Sequence, residues 1–571
     1  MSMDAENSNI VVIGGVACGP KAASRARRRD PHANITLIER GKELSYAGCG
    51  LPYYVGGAVS DISNLRKTTF DVIRDEQYFR SVKNIDVQLQ TEAVNINRAN
   101  RTIAARSIAT GIIKEILYDQ LVLAMGSTPF IPPIEGISQK GVYCLHVPED
   151  AVQIREKIEK GEADRAVIIG AGLIGLELVE SFFNHAVDVT VLELADAVLP
   201  SCLDPDMAEF LKNEVVREGV EIYTGQRIIR IDMEDGTARV VTQDRSFPAD
   251  MVIVAAGNRP NVGLAREAGL RIGETGAISV NLRMQTSDPN IYAGGDCVEC
   301  CDLVSGRMIY APLGSTANKH GRIIGDNITG GCEEFGGVVG TMIFKVLNLT
   351  VAKTGLTEQD ARACGFRVAT SLTPCLDHVH FYPGGKFLMI KIIAEQESGR
   401  FLGAQIIGPG DAAKRVDVLA AALQNQMTLR DIANLDLGYS PPYSHAMECV
   451  IQAANHARNR IDGLAHVMNA DQVQQKLLQE DLLLLDVREQ KEAESNPIFC
   501  EAVKNIPLTS LRYRLDEIPK NKPIVCCCAQ GTRSYEACLI LQANHFDSVY
   551  YLDGGLRIWR SFFRDKKECY S

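Results

Sequence analysis

The chain has 571 residues, 46% of them hydrophobic and 23% charged, which is ordinary for globular protein. These values exclude a mainly disordered chain, a collagen-like chain and a small disulfide scaffold, and the length predicts about three to five domains. The formal net charge of −11 argues against general nucleic-acid binding.

Residues 1–9 (MSMDAENSN) carry acidic and polar groups, with no basic end and apolar stretch of signal-peptide type. No run approaches ~18 apolar residues, so no membrane span is expected. The 17 cysteines then read as thiols in a cytoplasmic protein, a few with redox or catalytic work and most simply buried.

Residues 9–15 (NIVVIGG) read as a buried strand ending in glycine, 17–29 as a helix, and 35–39 (ITLIE) as a strand ending in an acid. This is the order of a dinucleotide-binding βαβ unit. Gly14 and Gly19 hold the outer places of G-x-G-x-x-G, Gly15 lies between them, and Val16 takes the middle place. Backbone N–H groups of such a loop would hold a pyrophosphate, and Glu39 would accept from a ribose hydroxyl.

The order recurs at 166–193. Strand AVIIG leads into Gly170, Gly172 and Gly175, a helix follows, and the strand DVTVLE ends in Glu193. A carboxylate there suits a free ribose 2′-hydroxyl and repels a 2′-phosphate, so NADH is expected over NADPH. Segments 121–129, 252–260 and 291–296 read as strands ending in small-residue turns, the last in Gly-Gly-Asp.

These motifs, in this order over residues 9 to about 450, resemble the flavoprotein disulfide reductases with two dinucleotide folds. The resemblance implies FAD in the first fold, with Asp296 as a flavin contact. It also implies a redox thiol after Glu39, and Cys49 stands there. Related reductases carry C-x4-C, but Leu44 and Tyr54 flank this site at that spacing. Cys49 therefore has no neighbouring partner in sequence. A lone redox thiol forms a sulfenic acid or a mixed disulfide with a guest thiol.

S-x-x-x-C-G-L-P-Y-Y is similar to the coenzyme A disulfide reductases and to NADH oxidases and peroxidases. The first helix carries Lys21, Arg25, Arg27, Arg28 and Arg29. Lys21, Arg25 and Arg28 share one face and could hold coenzyme A phosphates; a solvated basic face is the alternative. The resemblance adds Ser45, Gly48 and Asn318 to the coenzyme A site. It also implies a homodimer in which GYSPPYS (438–444) reaches the partner's thiol, with Tyr439 favoured over Tyr443 as hydroxyl donor. Tyr382 or Phe381 stands where a second family tyrosine lies.

Residues 335–450 read as an α+β domain and 451–470 as a helical linker. The last stretch has strands at 482–487, 524–528 and 548–552. Between the last two lies the six-residue loop Cys528 to Arg533 (CAQGTR). A small loop of inward N–H groups before a helix lowers a thiol's pKa and holds an anion. It resembles the rhodanese loop, with Asp486-Val487-Arg488 and Gly554-Gly555 in support. A phosphatase loop is one residue longer, so a persulfide on Cys528 is implied, assisted by Arg533. Cys526 and Cys527 read as core. Cys297, Cys300, Cys301 and Cys332 lack the second pair that a metal site needs, so no metal is expected.

The expected fold is α/β. It has two Rossmann-like dinucleotide-binding domains, for FAD (1–145 and 271–332) and NAD (146–270), then an α+β dimerisation domain (333–450). The linker (451–470) leads to a C-terminal α/β rhodanese domain (471–571). The expected activity is NADH-dependent reduction of coenzyme A persulfide, coenzyme A disulfide or polysulfide, with sulfane-sulfur transfer at Cys528. An NADH oxidase or peroxidase working through a Cys49 sulfenic acid is the alternative. The partners implied are small thiol and persulfide substrates and a second copy of the chain, with neither nucleic acid nor membrane.

Overall fold

The computed structural model describes residues 7–234, 236–464, 466–479 and 482–563. They form two compact units: Met1–Leu194 with Glu221–Val338, and Ala195–Val220 with Val339–Ser571.

The first unit holds two parallel sheets. In one, the order is Ile291–Ala293, Gln120–Leu123, Asn9–Ile13, Asn34–Ile38 and Asp86–Gln88. In the other it is Glu221–Tyr223, Asp188–Leu192, Arg165–Ile169, Met251–Val254 and Val142–Tyr143. Strands covered on both faces read as unbroken apolar runs, and Val11, Val12, Val167 and Ile168 are all buried. The edge strand at 291–293 follows the whole second sheet in sequence, so the second fold is an insertion in the first.

The second unit begins with an antiparallel sheet. Its order is Met342–Val346, Leu349–Gly355, Phe401–Gly408, Phe387–Glu395 and Val368–Leu376. A cation sits in its fourth strand, Phe387–Glu395. Lys391 is 1% exposed, and its Nζ lies 2.8 Å from Asp206, 3.1 Å from Glu358 and 3.2 Å from Asp204. A charge so placed persists only when it is paired.

The stretch read as a linker is not a spacer. Helix Cys449–Ile461 buries Cys449, Val450, Ala453, Ala454 and Ala457. Its small side chains let it lie close on the sheet. Strand His466–Met468 then pairs in parallel with Val549–Leu552. It is the edge of a five-stranded parallel sheet, continuing through Ile524–Cys527, Leu483–Asp486 and Val503–Asn505. The small residues of AANHA gave no sign that this helix is packed, and the three-residue strand is too brief to show a period.

Candidate active site

The two glycine loops are built alike. Gly14 has φ +108° and Gly170 φ +109°, and a Cβ on either would collide with a backbone carbonyl, of Ala124 and Ala255 respectively. Only glycine adopts this geometry without strain. Gly19 and Gly175 likewise press on the carbonyls of Gly14 and Gly170, which sets each helix tight against its strand. In the first loop Gly15 N donates to Glu39 Oε2 at 2.6 Å. In the second, Ala171 N donates to Glu193 Oε2 at 2.7 Å. Each strand-end carboxylate is thus held at the mouth of its loop. No atom lies within 4 Å of where a side chain on Gly126 or Gly172 would begin. The residues of both loops fit a dinucleotide. Asp296 lies in the same unit, its carboxyl pKa raised by burial and moderated by a hydrogen bond from Ser127.

Cys49 stands in a tight turn, Gly48–Gly50, that runs into helix Leu51–Val55. It is exposed, and every described cysteine is a free thiol. Helix Gly314–Asn327 starts beside it: a Cβ on Gly314 would lie 3.7 Å from Cys49 Sγ. A helix N-terminus favours a thiolate. Opposing it, burial raises the Cys49 pKa, as do the Glu177 and Asp296 charges. Helix Leu173–Phe183, which begins within the second glycine loop, grips the Cys49 segment. Ser181 Oγ donates to Pro52 O at 2.7 Å, and His185 Nε2 sits 3.0 Å from Val55 O. Arg155 donates to Tyr54 O and Val59 O.

The second unit carries another thiol site. Cys528 is 1% exposed, and its Sγ accepts from Gly531 N at 3.1 Å. Arg533 hydrogen-bonds Glu492 at 2.7 and 2.9 Å, and its pKa is raised by that carboxylate and by the Cys528 thiol. Leu556 N donates to Cys528 O at 2.9 Å, so the Gly554–Gly555 turn backs the loop. Gly555 has φ +62°, and a Cβ there would press on the Cys528 and Ala529 carbonyls. Beneath lies a buried ion pair, Arg488 to Asp486 at 2.7 Å.

Residues 8–318 match the pyridine nucleotide-disulphide oxidoreductase model. The chain belongs to this family. Residues 341–450 match the family's dimerisation domain, and 469–562 match a rhodanese-like domain. The solved structure of a NAD-dependent persulfide reductase from A. fulgidus is 47% identical, with TM-score 0.93, over 96% of this chain and 100% of that one. Reduced CoADR-RHD of Bacillus anthracis is 33% identical, with TM-score 0.91, over 98% and 99%. The NAD(P)H coenzyme A polysulfide/persulfide reductase of Pyrococcus horikoshii is 36% identical over 78% of this chain and 97% of its own length. Members of this family use FAD and NAD(P)H.

Of the expected coenzyme A residues, Lys21, Arg25, Arg28 and Asn318 lie along one helix pair. Gly321 and Gly325 let helix Gly314–Asn327 press onto Cys18–Arg29, against Lys21 Cβ and Arg25 Cβ. Lys21 and Arg28 are exposed. The Arg25 guanidinium pairs with Asp326 at 2.7 Å. Helical spacing showed the basic face but not an acid on the neighbouring helix. Asn318 Nδ2 donates to Gly314 O at 2.8 Å. Ser45 is buried with φ +49° and donates its N–H to Gly15 O, and Gly48 is exposed beside Cys49.

In the second unit Tyr439, Tyr443, Phe381 and Tyr382 are all exposed. Their segments are tied together by buried Arg415, which pairs with Glu448 at 2.6 Å and donates to Asp377 O and Tyr443 O. Cys526 and Cys527 are core residues, fully buried with thiol pKa values pushed up. Burial also pushes Cys297 up to about 11 and Cys300 to about 12. Sequence reasoning missed Gly314, whose nearness to Cys49 arises only from the packing of a distant segment.

No helix among the described residues is long and apolar enough to cross a membrane.

Proposed function

We propose that the protein is an NADH-dependent reductase of coenzyme A persulfide, coenzyme A disulfide or polysulfide. The observation that carries this reading is a lone Cys49 thiol at a helix N-terminus, on the same chain as the Cys528 loop. The Cys49 thiolate attacks a coenzyme A persulfide at the inner sulfur. A Cys49–S–S–CoA bond forms, the inner-to-outer sulfur bond breaks, and HS⁻ leaves. When bound, FAD supplies two-electron exchange between NADH and sulfur. The protein's own groups do the rest.

The Gly314 helix end favours the thiolate. Lys21 and Arg28 offer cations to the phosphates, with Arg25 spent on Asp326. From Gly314 to Gly325 the helix runs about 16 Å at its regular rise, a path suited to an extended pantetheine arm. Glu193 favours the free 2′-hydroxyl of NADH. In a homodimer, Tyr439 would donate to the thiolate released at the partner's site. Cys528 takes the outer sulfur of a donor persulfide, becoming a persulfide and freeing the donor thiolate. Arg533 and the loop N–H groups hold the charge. The many free thiols suit a cytoplasmic setting.

The test is Cys49→Ser in the flavin-loaded enzyme. Turnover of coenzyme A persulfide by NADH should vanish, while NADH still reduces the flavin. Full turnover in the variant would end this reading. The oxidase alternative predicts faster NADH consumption with peroxide than with coenzyme A persulfide, and that comparison decides between them.

A further inference from the structure

Helix Gly314–Asn327, whose first residue borders Cys49, buries a histidine along its length. His320 is 1% exposed, and its Nδ1 accepts from Gly295 N at 3.2 Å. Gly295 stands in the Gly294–Gly295–Asp296 turn that follows strand Ile291–Ala293. This turn is confined on two sides. A Cβ on Gly294 would fall 2.9 Å from Cys18 Sγ, at the start of the first loop's helix, and 3.0 Å from His320 Cβ. Gly295 itself has φ +77°, a backbone conformation that a side chain would strain. The His320 bond thus helps set the direction in which the next residue, Asp296, leaves the turn.

An Nδ1 that accepts leaves the ring proton on Nε2. Nε2 is buried and has no hydrogen-bond partner among the described residues. The ring stands at 87° to Phe335, with centroids 4.4 Å apart. Burial pushes the His320 pKa down to about 4, and the Lys319 charge lowers it too. The imidazole is therefore neutral near pH 7, with Nδ1 free to accept. A buried donor without a partner weakens a fold, and a leucine would fill the site without that cost. What the imidazole supplies and a leucine lacks is the acceptor for Gly295.

We propose that His320 is the positioning residue of the flavin turn: its Nδ1 holds Gly295 so that Asp296 meets the flavin, and it ties that turn to the helix whose first residue borders Cys49. This rests on the reading of Asp296 as the flavin contact. His320 acts through Gly295 and neither gains nor loses a proton.

The experiment follows FAD release from the loaded, full-length enzyme on dilution, by the rise in flavin fluorescence. His320→Leu removes the acceptor and should release FAD about tenfold faster, the scale of one lost hydrogen bond. His320→Asn can present its Oδ1 to Gly295 and should stay within about twofold of the parent enzyme. Far-ultraviolet circular dichroism at the same dilution should show the His320→Leu chain still folded as the flavin leaves. An unchanged release rate in His320→Leu, an equal rise in both variants, or loss of the fold together with the flavin overturns the proposal. Nitrogen-15 NMR of the loaded parent enzyme gives a second reading, with the His320 signal assigned by its loss in His320→Asn. A proton on Nε2 alone is expected, and a proton on Nδ1 overturns the proposal. Asp296→Ala tests the underlying reading separately. If that variant holds FAD as firmly as the parent enzyme, Asp296 is not the contact, whatever the His320 variants do.

Discussion

Cys49 Sγ lies 3.7 Å from the point where a side chain on Gly314 would begin. That is ordinary contact distance, so an alanine fits the folded protein, but it fills the open space beside the sulfur. Gly314→Ala should fold normally and gain up to ~1 kcal/mol in helix propensity. It should still slow the formation of the Cys49 mixed disulfide. Thermal unfolding together with stopped-flow mixing of coenzyme A persulfide separates the two effects. An unchanged rate would show that the guest does not pass over Gly314.

Glu193 bears on nucleotide choice. With its carboxylate at the mouth of the second loop, a 2′-phosphate meets like charge. Glu193→Ala should reduce the preference for NADH over NADPH by about tenfold, the scale of one close repulsion in a partly wet site. The ratio of kcat/KM values measures it. If the ratio is unchanged, selectivity resides elsewhere.

Cys528→Ser should abolish sulfur transfer from a sulfane donor to an acceptor thiol. It should leave reduction of coenzyme A disulfide by NADH intact, since that reaction uses Cys49. Loss of both in a variant that retains its flavin would mean the two thiols act in a single obligatory sequence.

Asp553 makes stability depend on pH. Its carboxylate accepts from Leu372 N at 3.1 Å and pairs with Arg460 at 3.2 Å. Burial outweighs both contacts and pushes its pKa up to about 6. A carboxyl raised in the folded state binds its proton more tightly there than in the unfolded chain. Its stabilising contribution is therefore complete at low pH and is lost as pH rises from ~4 to about 6. Asp553→Asn should gain on the native protein across that window, by up to ~3 kcal/mol. Denaturant melts at pH 4 and pH 7 check the slope, and parallel curves would remove Asp553 as the cause.

Much of this was legible in the residues themselves. The strands at 9–13 and 165–169 announce themselves because β-branched runs end in glycines that nothing else can replace. Cys49 and Cys528 stand out through their immediate neighbours. What sequence cannot show is a partner that arrives from far along the chain. Asp326 meets Arg25 across 301 positions, and Ser181 meets Pro52 across 129. The face of a helix can be read from its own spacing. Which charges on it are already neutralised depends on its neighbour.

Arg415 acts as a rivet. One guanidinium fastens the loop before Phe381 and Tyr382 to the one that carries Tyr439 and Tyr443. These aromatic projections thus form a single mechanical part. An injury at this interior position would set both loops adrift together.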